Sequence, residues 1–367
     1  MLTDLRPTRY QREVTQPVYL HGATVSTTWR DTSRSLTDLI FGCVRDTLDQ
    51  AGLAVADLGA VVLAAHDIVD GRGLTSMVTS PAAAAYLKDE TRLGDDGALA
   101  FILGDARVRS GSVDTCLVAA WGRASEGPVD EIAHALFDPF TGRPLALTEV
   151  AVSGLRAAAC LGRYPDYALA RDAAAARRGP RPAGPGSPGD PDSPGDQDRT
   201  PAPAWPLRPA ELPVWADVVA AVVLSSEPGP VRVTGVGTST EPYELGDRDL
   251  LGLPALRAAS AQALGAAGIR AGTVEALELD GLTLFDEALA AEATGAAAPG
   301  QGMSLLAADD KVNPDGGYAA GYCDPAMGLV RVARAAGRVR AGARTALATG
   351  ASVVAAQVQS AVVLEGA

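Results

Sequence analysis

The chain has 367 residues, of which 47% are hydrophobic, and it carries a formal net charge of -13. This charge argues against nucleic acid or an anionic membrane as a partner, because phosphate groups would repel it. No apolar run reaches the roughly 20 residues that cross a bilayer, and the first residues lack the apolar stretch of a signal peptide.

The first third of the chain predicts an alternation of strands and helices. Short apolar runs of the buried-strand type follow stretches with helical spacing of apolar residues. These elements are a strand at 17–26, a helix at 35–53, a strand at 58–66, a helix at 95–113 and a strand at 114–122. Gly52 is a typical C-terminal stop for the first of the two helices.

The middle of the chain has a different composition. Residues 153–178 predict a helix, a turn and a second helix. Residues 179–209 are too rich in proline and glycine to pack a core. We interpret this tract as a flexible surface insertion, with a docking peptide of polyproline character as the alternative.

The last third repeats the first in outline. Strands are predicted at 217–227, 230–240 and 274–281, helices at 255–269, from about 283 and at 325–340, and a strand pair around a glycine turn within 345–366. Two similar βαβαβ halves indicate a layered α/β fold.

Three segments follow one another as in a known family. Residues 97–122, GALAFILGDARVRSGSVDTCLVAAWG, match a helix and strand that follow a catalytic nucleophile. Asp217 opens a segment of the type sDGAaA, and residues 313–331, NPDGGYAAGYCDPAMGLVR, match the pattern NPsGG....GHPlGaSGaR. In this order the segments resemble the thiolase superfamily, and its sterol-carrier-type members most of all.

The resemblance implies a five-layered αβαβα fold and chemistry at the carbon next to a thioester carbonyl. It divides the chain into residues 1–122 plus 210–228 as an N-terminal half and 229–367 as a C-terminal half. Residues 123–178 then form a cap, and 179–209 remain as the insertion. Members of the family are usually dimers.

The family's nucleophile position is changed in this chain. A cysteine is needed there at a helix N-terminus, where backbone N–H groups and the helix dipole lower the pKa of its thiol. The pattern Cys-x-Ser-Gly falls on Gly94, Asp95, Asp96 and Gly97, so no thiol is present. Aspartates at a helix start are typical caps, which is the role expected for both, with a catalytic base as the alternative for one that is buried.

Two further catalytic positions are changed. Leu279 falls where the family has Asn or His, and Asp280 beside it is expected to be structural. Counted without a gap from Gly316 and Gly317, the family's histidine falls on Cys323. With a one-residue gap, it falls on Tyr322, and the sequence leaves both registers open.

Several other positions of the site remain as vestiges. Asn313, Gly316 and Gly317 keep the family's loop pattern. Gly350 is expected to keep the glycine turn near the C-terminus, although the thiol of the Cys-x-Gly pattern in other thiolases is absent from Thr349-Gly350-Ala351-Ser352.

The losses together predict a chain without ordinary Claisen catalysis. The first hypothesis is a structural or regulatory subunit that pairs with an active thiolase or condensing enzyme. Its partner would be a second copy, another thiolase-like chain, or a small OB-fold, zinc-ribbon protein associated with acyl-CoA.

The second hypothesis is an enzyme with altered chemistry. The resemblance extends to thiolase-like retro-aldolases that use tyrosine instead of cysteine and histidine. Tyr322 is the candidate acid/base, provided that the pKa of its phenol is lowered, and Cys323 is the second candidate.

The third hypothesis is a module that binds CoA or a pantetheine thioester without reacting. Gly316 and Gly317 would let the backbone approach the pantetheine arm. Basic residues at 171–182 would meet a phosphate, or form a solvated helix face. No covalent cofactor and no metal are expected, and the widely spaced cysteines, without a CxxC pair, suit a reducing cytoplasm.

Overall fold

The computed structural model describes residues 15–29, 33–66, 78–178, 204–352 and 354–367. Most of the predicted insertion, 179–203, lies outside these residues. None of the described helices is long and apolar enough to cross a membrane. No disulfide joins the four cysteines, all of which are buried.

The described residues form nine strands and nine α-helices. The strands are β1 (Val18–Thr28), β2 (Ala60–Ala64), β3 (Asp89–Leu93), β4 (Thr115–Arg123), β5 (Asp217–Ser225), β6 (Val231–Thr240), β7 (Ala276–Glu278), β8 (Thr345–Ala351) and β9 (Val358–Gly366). The helices are α1 (Leu36–Ala51), α2 (Gly97–Arg109), α3 (Val129–Leu136), α4 (Glu149–Arg163), α5 (Pro165–Arg177), α6 (Pro254–Ala267), α7 (Leu284–Ala293), α8 (Gly302–Ala308) and α9 (Met327–Arg340).

Hydrogen bonds connect the strands in the order β3-β2-β4-β5-β1-β6-β9-β8-β7. The first five strands come from the predicted N-terminal half and the last four from the C-terminal half. The two groups meet through β1 and β6, which pair over only three residues, Val18–Leu20 against Val231–Val233. The chain therefore has two sheets that share a short seam.

The strands of the N-terminal half bury both faces, and alternate residues serve different layers. On β4, Leu117, Ala119 and Trp121 pack with the apolar side of α1. Val118 and Ala120, between them, pack with α2. A two-residue period assigns successive side chains to opposite faces, so this sheet lies between α1 and α2.

Helices α2 and α9 form the middle layer of the molecule. Both contact strands of the two halves, and they contact each other. Helix α1 covers the outer face of the N-terminal sheet, and α6 packs on β6 and β9 of the C-terminal sheet. The order is therefore helix, sheet, helix, sheet, helix, as the resemblance implied.

Local sequence signals define most helix ends where they were predicted. Ser35 caps α1 in a reciprocal capping box with Asp38. Gly52 and Gly268 close α1 and α6 in left-handed conformations, which glycine adopts without a steric penalty. Helices α4 and α5 are separate at Tyr164, immediately before a proline.

Three described elements were not predicted, namely β3, α3 and α8, and one predicted turn is misplaced. Gly350 lies inside β8, which ends at Ala351, and β9 begins at Val358, so the reversal comes after this glycine. Val354, Ala355 and Ala356 there have φ values of 72°, 59° and 55°, although non-glycine residues rarely adopt this region.

The end of the predicted insertion also packs on the fold, because Leu207 is buried.

The double glycine packs against a buried carboxylate. Gly316 and Gly317 both have positive φ values, 102° and 58°. Tyr318 N–H donates to Glu287 Oε1 at 2.7 Å, and a Cβ at Gly317 would overlap that same oxygen. Glu287 also forms a buried ion pair with Arg178 at 2.7 Å. These glycines thus bring the backbone close to Glu287.

We expect Gly317→Ala to lower the free energy of unfolding by about 2–4 kcal/mol, because a left-handed backbone and a steric overlap add together. The matched control is Gly265→Ala in α6, where a new Cβ meets no atom within 4 Å. It is expected to stabilise the helix by about 0.5–1 kcal/mol. Urea unfolding of both variants measures the difference, and equal stabilities would contradict the account.

Candidate functional site

The carboxyl group of Asp96 lies where two helices begin. Its Oδ2 accepts the N–H of Ala98 in the first turn of α2 at 2.7 Å. Its Oδ1 accepts the N–H of Gly328 in the first turn of α9 at 2.9 Å. Asp96 is therefore a cap, as predicted, but it caps both helices of the middle layer at once.

Glycines clear the space around this carboxyl group. A Cβ at Gly328 or at Gly350 would overlap Asp96 Oδ2. This explains why β8 carries a glycine immediately before its last residue. Gly350 is thus needed for the approach of Asp96, and the expectation that it forms a turn is wrong.

Asp280 follows β7 and is buried beside this cap. Its backbone N–H donates to Thr349 Oγ1 at 2.8 Å, and its Oδ2 accepts the N–H of Ala351 at 3.1 Å. The carboxyl group lines a cavity of about 50 Å³. Asp280 is therefore a site residue, which the sequence analysis had considered merely structural.

Leu279 and Asn313, by contrast, belong to the core. The Asn313 amide accepts the Leu279 N–H at 2.7 Å and donates to the Leu279 carbonyl at 2.9 Å. This pair attaches residue 313 to the end of β7, and both side chains are fully buried. Neither residue lines the described cavities.

Tyr322 is held beside Asp280 by pairing with another segment. Its N–H donates to the Val214 carbonyl at 2.8 Å, and its carbonyl accepts the Ala216 N–H at 3.2 Å. The rings of Tyr322 and Trp215 pack edge to face at 6.1 Å. The phenol O–H then donates to Asp280 Oδ1 at 3.5 Å, a long contact.

Asp324 connects two small cavities. The first is the 50 Å³ space lined by Asp280 and Tyr322. The second, of about 40 Å³, is lined by Cys323 and Trp215. Asp324, Glu149 and Leu282 line both, so the cavities are neighbours. Tyr322 and Cys323, the two sequence candidates, consequently face different spaces.

Asp96, Asp280 and Asp324 form an acidic cluster, and their buried surroundings favour the protonated carboxyl groups. Burial raises the pKa of Asp280 to about 6, while the positive charge of Arg331 and two backbone N–H groups oppose the rise. Burial and the charge of Asp280 raise the pKa values of Asp96 and Asp324 well above their usual range. Because several carboxyl groups share one apolar space, they cannot all ionise at neutral pH.

The pKa of the Tyr322 phenol is raised well above its usual value by burial and by the nearby charge of Asp280. A lowered pKa was the condition for tyrosine to act as a base, and it is not met. The phenol therefore keeps its proton and serves as a hydrogen-bond donor. Asp280, whose anion Arg331 and two backbone N–H groups favour, is the better base.

The remaining predicted positions lie outside the acidic cluster. Gly94, the nucleophile position, is exposed. Asp95 Oδ1 accepts the Asp96 N–H at 2.6 Å, so it supports the cap. In the part of the chain that the structure describes, no group of acidic, histidine or cysteine side chains has the arrangement to hold a metal ion.

The basic segment at 171–182 is committed to ion pairs as far as the structure describes it. Arg171 pairs with Glu211 at 2.5 Å, and both are buried. Arg178 pairs with Glu287, and Arg177 with Asp310. Arg171 and Arg178 are therefore buried in ion pairs, whereas Arg177 lies on the exposed face of the helix. Arg181 lies outside the described residues.

Asp324 is the site residue that sequence reasoning missed. Counting from Gly316 and Gly317 places the family's histidine at residue 322 or 323. The signal that finds Asp324 is the proline, since Asp324-Pro325 stands in the chain where the pattern has His-Pro.

The pKa of Asp280 predicts a pH dependence of stability. Its folded-state pKa, about 6, lies above the unfolded value near 3.9. The resulting stabilisation is complete below pH 4 and is lost as pH rises through 6. In Asp280→Asn, the free energy of unfolding should therefore fall less between pH 4 and pH 7, as measured by urea unfolding. Identical slopes in Asp280→Asn and the wild type would refute the assignment.

Comparisons with known proteins agree with this architecture. No family model matches the sequence, and no curated protein matches it. The Ltp2-ChsH2(DUF35) aldolase has a similar structure, with a TM-score of 0.75 and 17% identity over 96% of this chain and 98% of that one. The human mitochondrial 3-ketoacyl-CoA thiolase has a TM-score of 0.71 and 14% identity over 96% of this chain and 99% of that one. This chain therefore has a thiolase-like fold.

Proposed function

We propose that the protein is a lyase that cleaves the carbon–carbon bond of a β-hydroxyacyl thioester by acid/base catalysis. One observation supports this above all. Tyr322, Asp280 and Asp324 line a single cavity whose lining includes no cysteine and no histidine. A retro-aldol step needs a base and a donor for an enolate oxygen, but it needs no covalent bond to the enzyme.

The raised pKa values assign a role to each group. Asp280, ionised at neutral pH, takes the proton of the β-hydroxyl group. The bond between the α and β carbons then breaks, which releases an aldehyde or ketone and leaves its electron pair in the thioester enolate. Asp324, still protonated, donates to the enolate oxygen, as neutral carboxylic acids do in apolar sites. Tyr322 positions Asp280, and protonation of the α carbon completes an acyl thioester.

The occupied helix N-termini support a mechanism without a thiolate. Two N–H groups that would stabilise a thiolate or an oxyanion already bind the Asp96 carboxyl group. The similarity in fold to an aldolase supports the same reaction class. CoA or another pantetheine thioester is the carrier that we propose for the substrate.

Removal of the Tyr322 hydroxyl group tests the proposal. Tyr322→Phe should lower kcat/KM for a β-hydroxyacyl-CoA by about 10- to 100-fold, because Asp280 loses a positioning hydrogen bond and such bonds to a charged group contribute roughly 1.5–3 kcal/mol. The wild-type kcat/KM should rise with pH through about 6, the pKa of Asp280. Release of the aldehyde or ketone, coupled to NADH oxidation by an added dehydrogenase, measures both.

The matched control is Tyr318→Phe. Tyr318 lies in the same loop, but its O–H donates to the Ala210 carbonyl at 2.8 Å, and it lines neither cavity. Its turnover should stay within about twofold of wild type. Equal turnover of Tyr322→Phe and Tyr318→Phe would remove Tyr322 from the mechanism.

A structural or regulatory subunit is the second candidate. The closed space of about 50 Å³ and the Asp96 cap in place of a nucleophile favour it. Such a subunit would assemble with a second copy, with an active thiolase or with an OB-fold partner. Affinity purification from the native host with mass spectrometry should then recover the partner in a fixed ratio, and recovery of the chain alone would exclude a heteromeric role.

A further inference from the structure

One nitrogen atom of a buried arginine beside the candidate site has no partner among the described residues. Arg156 belongs to α4, is 7% exposed and lines the cavity of about 50 Å³ together with Asp280 and Asp324. Its Nη1 donates to Asp286 Oδ1 at 2.9 Å, and its Nη2 donates to the Ala355 carbonyl at 3.1 Å. Its Nε is buried, and no acceptor of the described chain reaches it. Buried donors of this kind are rare, because leaving one unpaired is costly.

The ion pair with Asp286 fixes the guanidinium group of this arginine. Asp286 Oδ2 accepts the hydroxyl groups of Ser153 and Thr283 at 2.6 and 2.8 Å, so the carboxylate is itself held in place. Because the guanidinium group is planar and its N–H groups form a rigid fork, the bonds at Nη1 and Nη2 also fix the direction of Nε–H. Asp286 and Ser153 line the same cavity as the arginine. The N–H group without a partner is therefore preorganised at the candidate site.

The charges around this N–H group favour a neutral oxygen acceptor. The positive charge of Arg156 is already paired with Asp286. The carboxyl groups of Asp280, Glu149 and Asp324 line the same cavity, and the ionised ones would repel a free carboxylate. A carbonyl oxygen has no net charge before a reaction, and it gains negative charge only when an enolate forms. An N–H group fixed beside it stabilises the enolate more than the carbonyl.

We propose that Arg156 Nε–H donates to the thioester carbonyl oxygen of the substrate and stabilises the enolate during bond cleavage. This inference rests on the proposed function and adds a second donor to the protonated Asp324. As the bond between the α and β carbons breaks, its electron pair moves into the thioester, and the carbonyl oxygen becomes the enolate oxygen. Arg156 transfers no proton in this step. When the α carbon is protonated, the carbonyl is restored and the hydrogen bond weakens again.

NMR measures this contact separately from turnover. Protein labelled with ¹⁵N in the arginine side chains is titrated with S-methyl thioacetate, a small thioester without a β-hydroxyl group. The ¹Hε resonance of Arg156, assigned by its loss in Arg156→Lys, should shift downfield because the N–H group gains a hydrogen bond. Ethyl methyl sulfide, which has a CH₂ group in place of the carbonyl, and acetate should leave it unchanged. Equal shifts with the thioester and the sulfide, or no shift at the solubility limit of the thioester, would overturn the proposal.

Kinetics of two variants locate the effect. Arg156→Lys keeps the positive charge beside Asp286 but removes Nε. It should lower kcat for a β-hydroxyacyl-CoA by about 100- to 1,000-fold, as the loss of one oxyanion donor does, while KM changes little. The matched control is Arg248→Lys, because Arg248 also donates to the Ala355 carbonyl, at 2.9 Å, but does not line the cavity. This control should keep the kcat of the wild type. Equal losses in both variants would mean that Arg156 acts only through Ala355, and would overturn the proposal.

The two measurements separate this inference from the proposed function. If no thioester is cleaved but S-methyl thioacetate shifts the Arg156 resonance, the lyase assignment fails and the site for a carbonyl oxygen stands. If β-hydroxyacyl thioesters are cleaved and Arg156→Lys has the kcat of the wild type, the inference fails alone.

Discussion

The contact of one carboxyl group with two helix N-termini organises this molecule. Asp96 accepts one N–H from α2 and one from α9, and these helices are the only layer between the two sheets in the described chain. A hydrogen bond to a charged group contributes about 1.5–3 kcal/mol, and the positive ends of both helix dipoles favour a carboxylate. Burial opposes ionisation, so the pKa of Asp96 rises even though both helices attract its charge.

This contact has consequences for the chemistry of the fold. A helix N-terminus that already binds a side chain cannot lower the pKa of a thiol or stabilise a new oxyanion. The remaining reactivity then depends on which buried carboxyl group loses its proton first. Arg331 and the N–H groups of Ala351 and Gly281 favour the anion of Asp280, whereas Asp324 has the charges of Asp280 and Glu149 as neighbours. The surroundings of Asp280 therefore favour its anion, and those of Asp324 favour its protonated form.

Arg331 is an unusual counter-charge for such a site. Its guanidinium group is fully buried, and none of its three nitrogen atoms has a hydrogen-bond partner among the described residues. Its charge lowers the pKa values of both Asp280 and Glu278 from a distance. A low-dielectric interior weakens such interactions less than water does, so one arginine favours the anions of two carboxyl groups at the end of β7.

Sequence reasoning predicted the layers better than the site, for physical reasons. Continuous apolar runs such as that of β4 show directly which strands are buried on both faces. The charged edge strand β3, DETRL, has half-exposed side chains and no such run. The helices α3 and α8 span only eight and seven residues, too short for a clear apolar period.

The site itself depends on contacts between distant segments. Asp96, Asp280 and Asp324 are separated by more than forty residues from one another, and only the packing of α2, β7 and the loop before α9 brings them together. The sequence pattern assigns Leu279 and Cys323 to the site, one residue before Asp280 and Asp324. An error of one residue matters because successive side chains in an extended segment face opposite sides. A glycine within a strand was likewise read as a turn, because the approaching carboxyl group of Asp96 is visible only in three dimensions.

The segment Val354–Ala356, with its positive φ values, connects the cap formed by residues 123–178 with the candidate site. Each residue adopts a φ that is unfavourable for an L-amino acid by roughly 1–2 kcal/mol, and such a conformation persists only where other contacts determine it. Glu149 supplies two of those contacts from the first turn of α4, and Arg156 of the same helix supplies a third, to the Ala355 carbonyl at 3.1 Å. A displacement of α4 would therefore remove the support of the segment whose last residue, Ala356, lines the cavity beside Asp280. Glu149 and Arg156 line the same cavity, so the residues that hold this segment also form part of the wall of the candidate site.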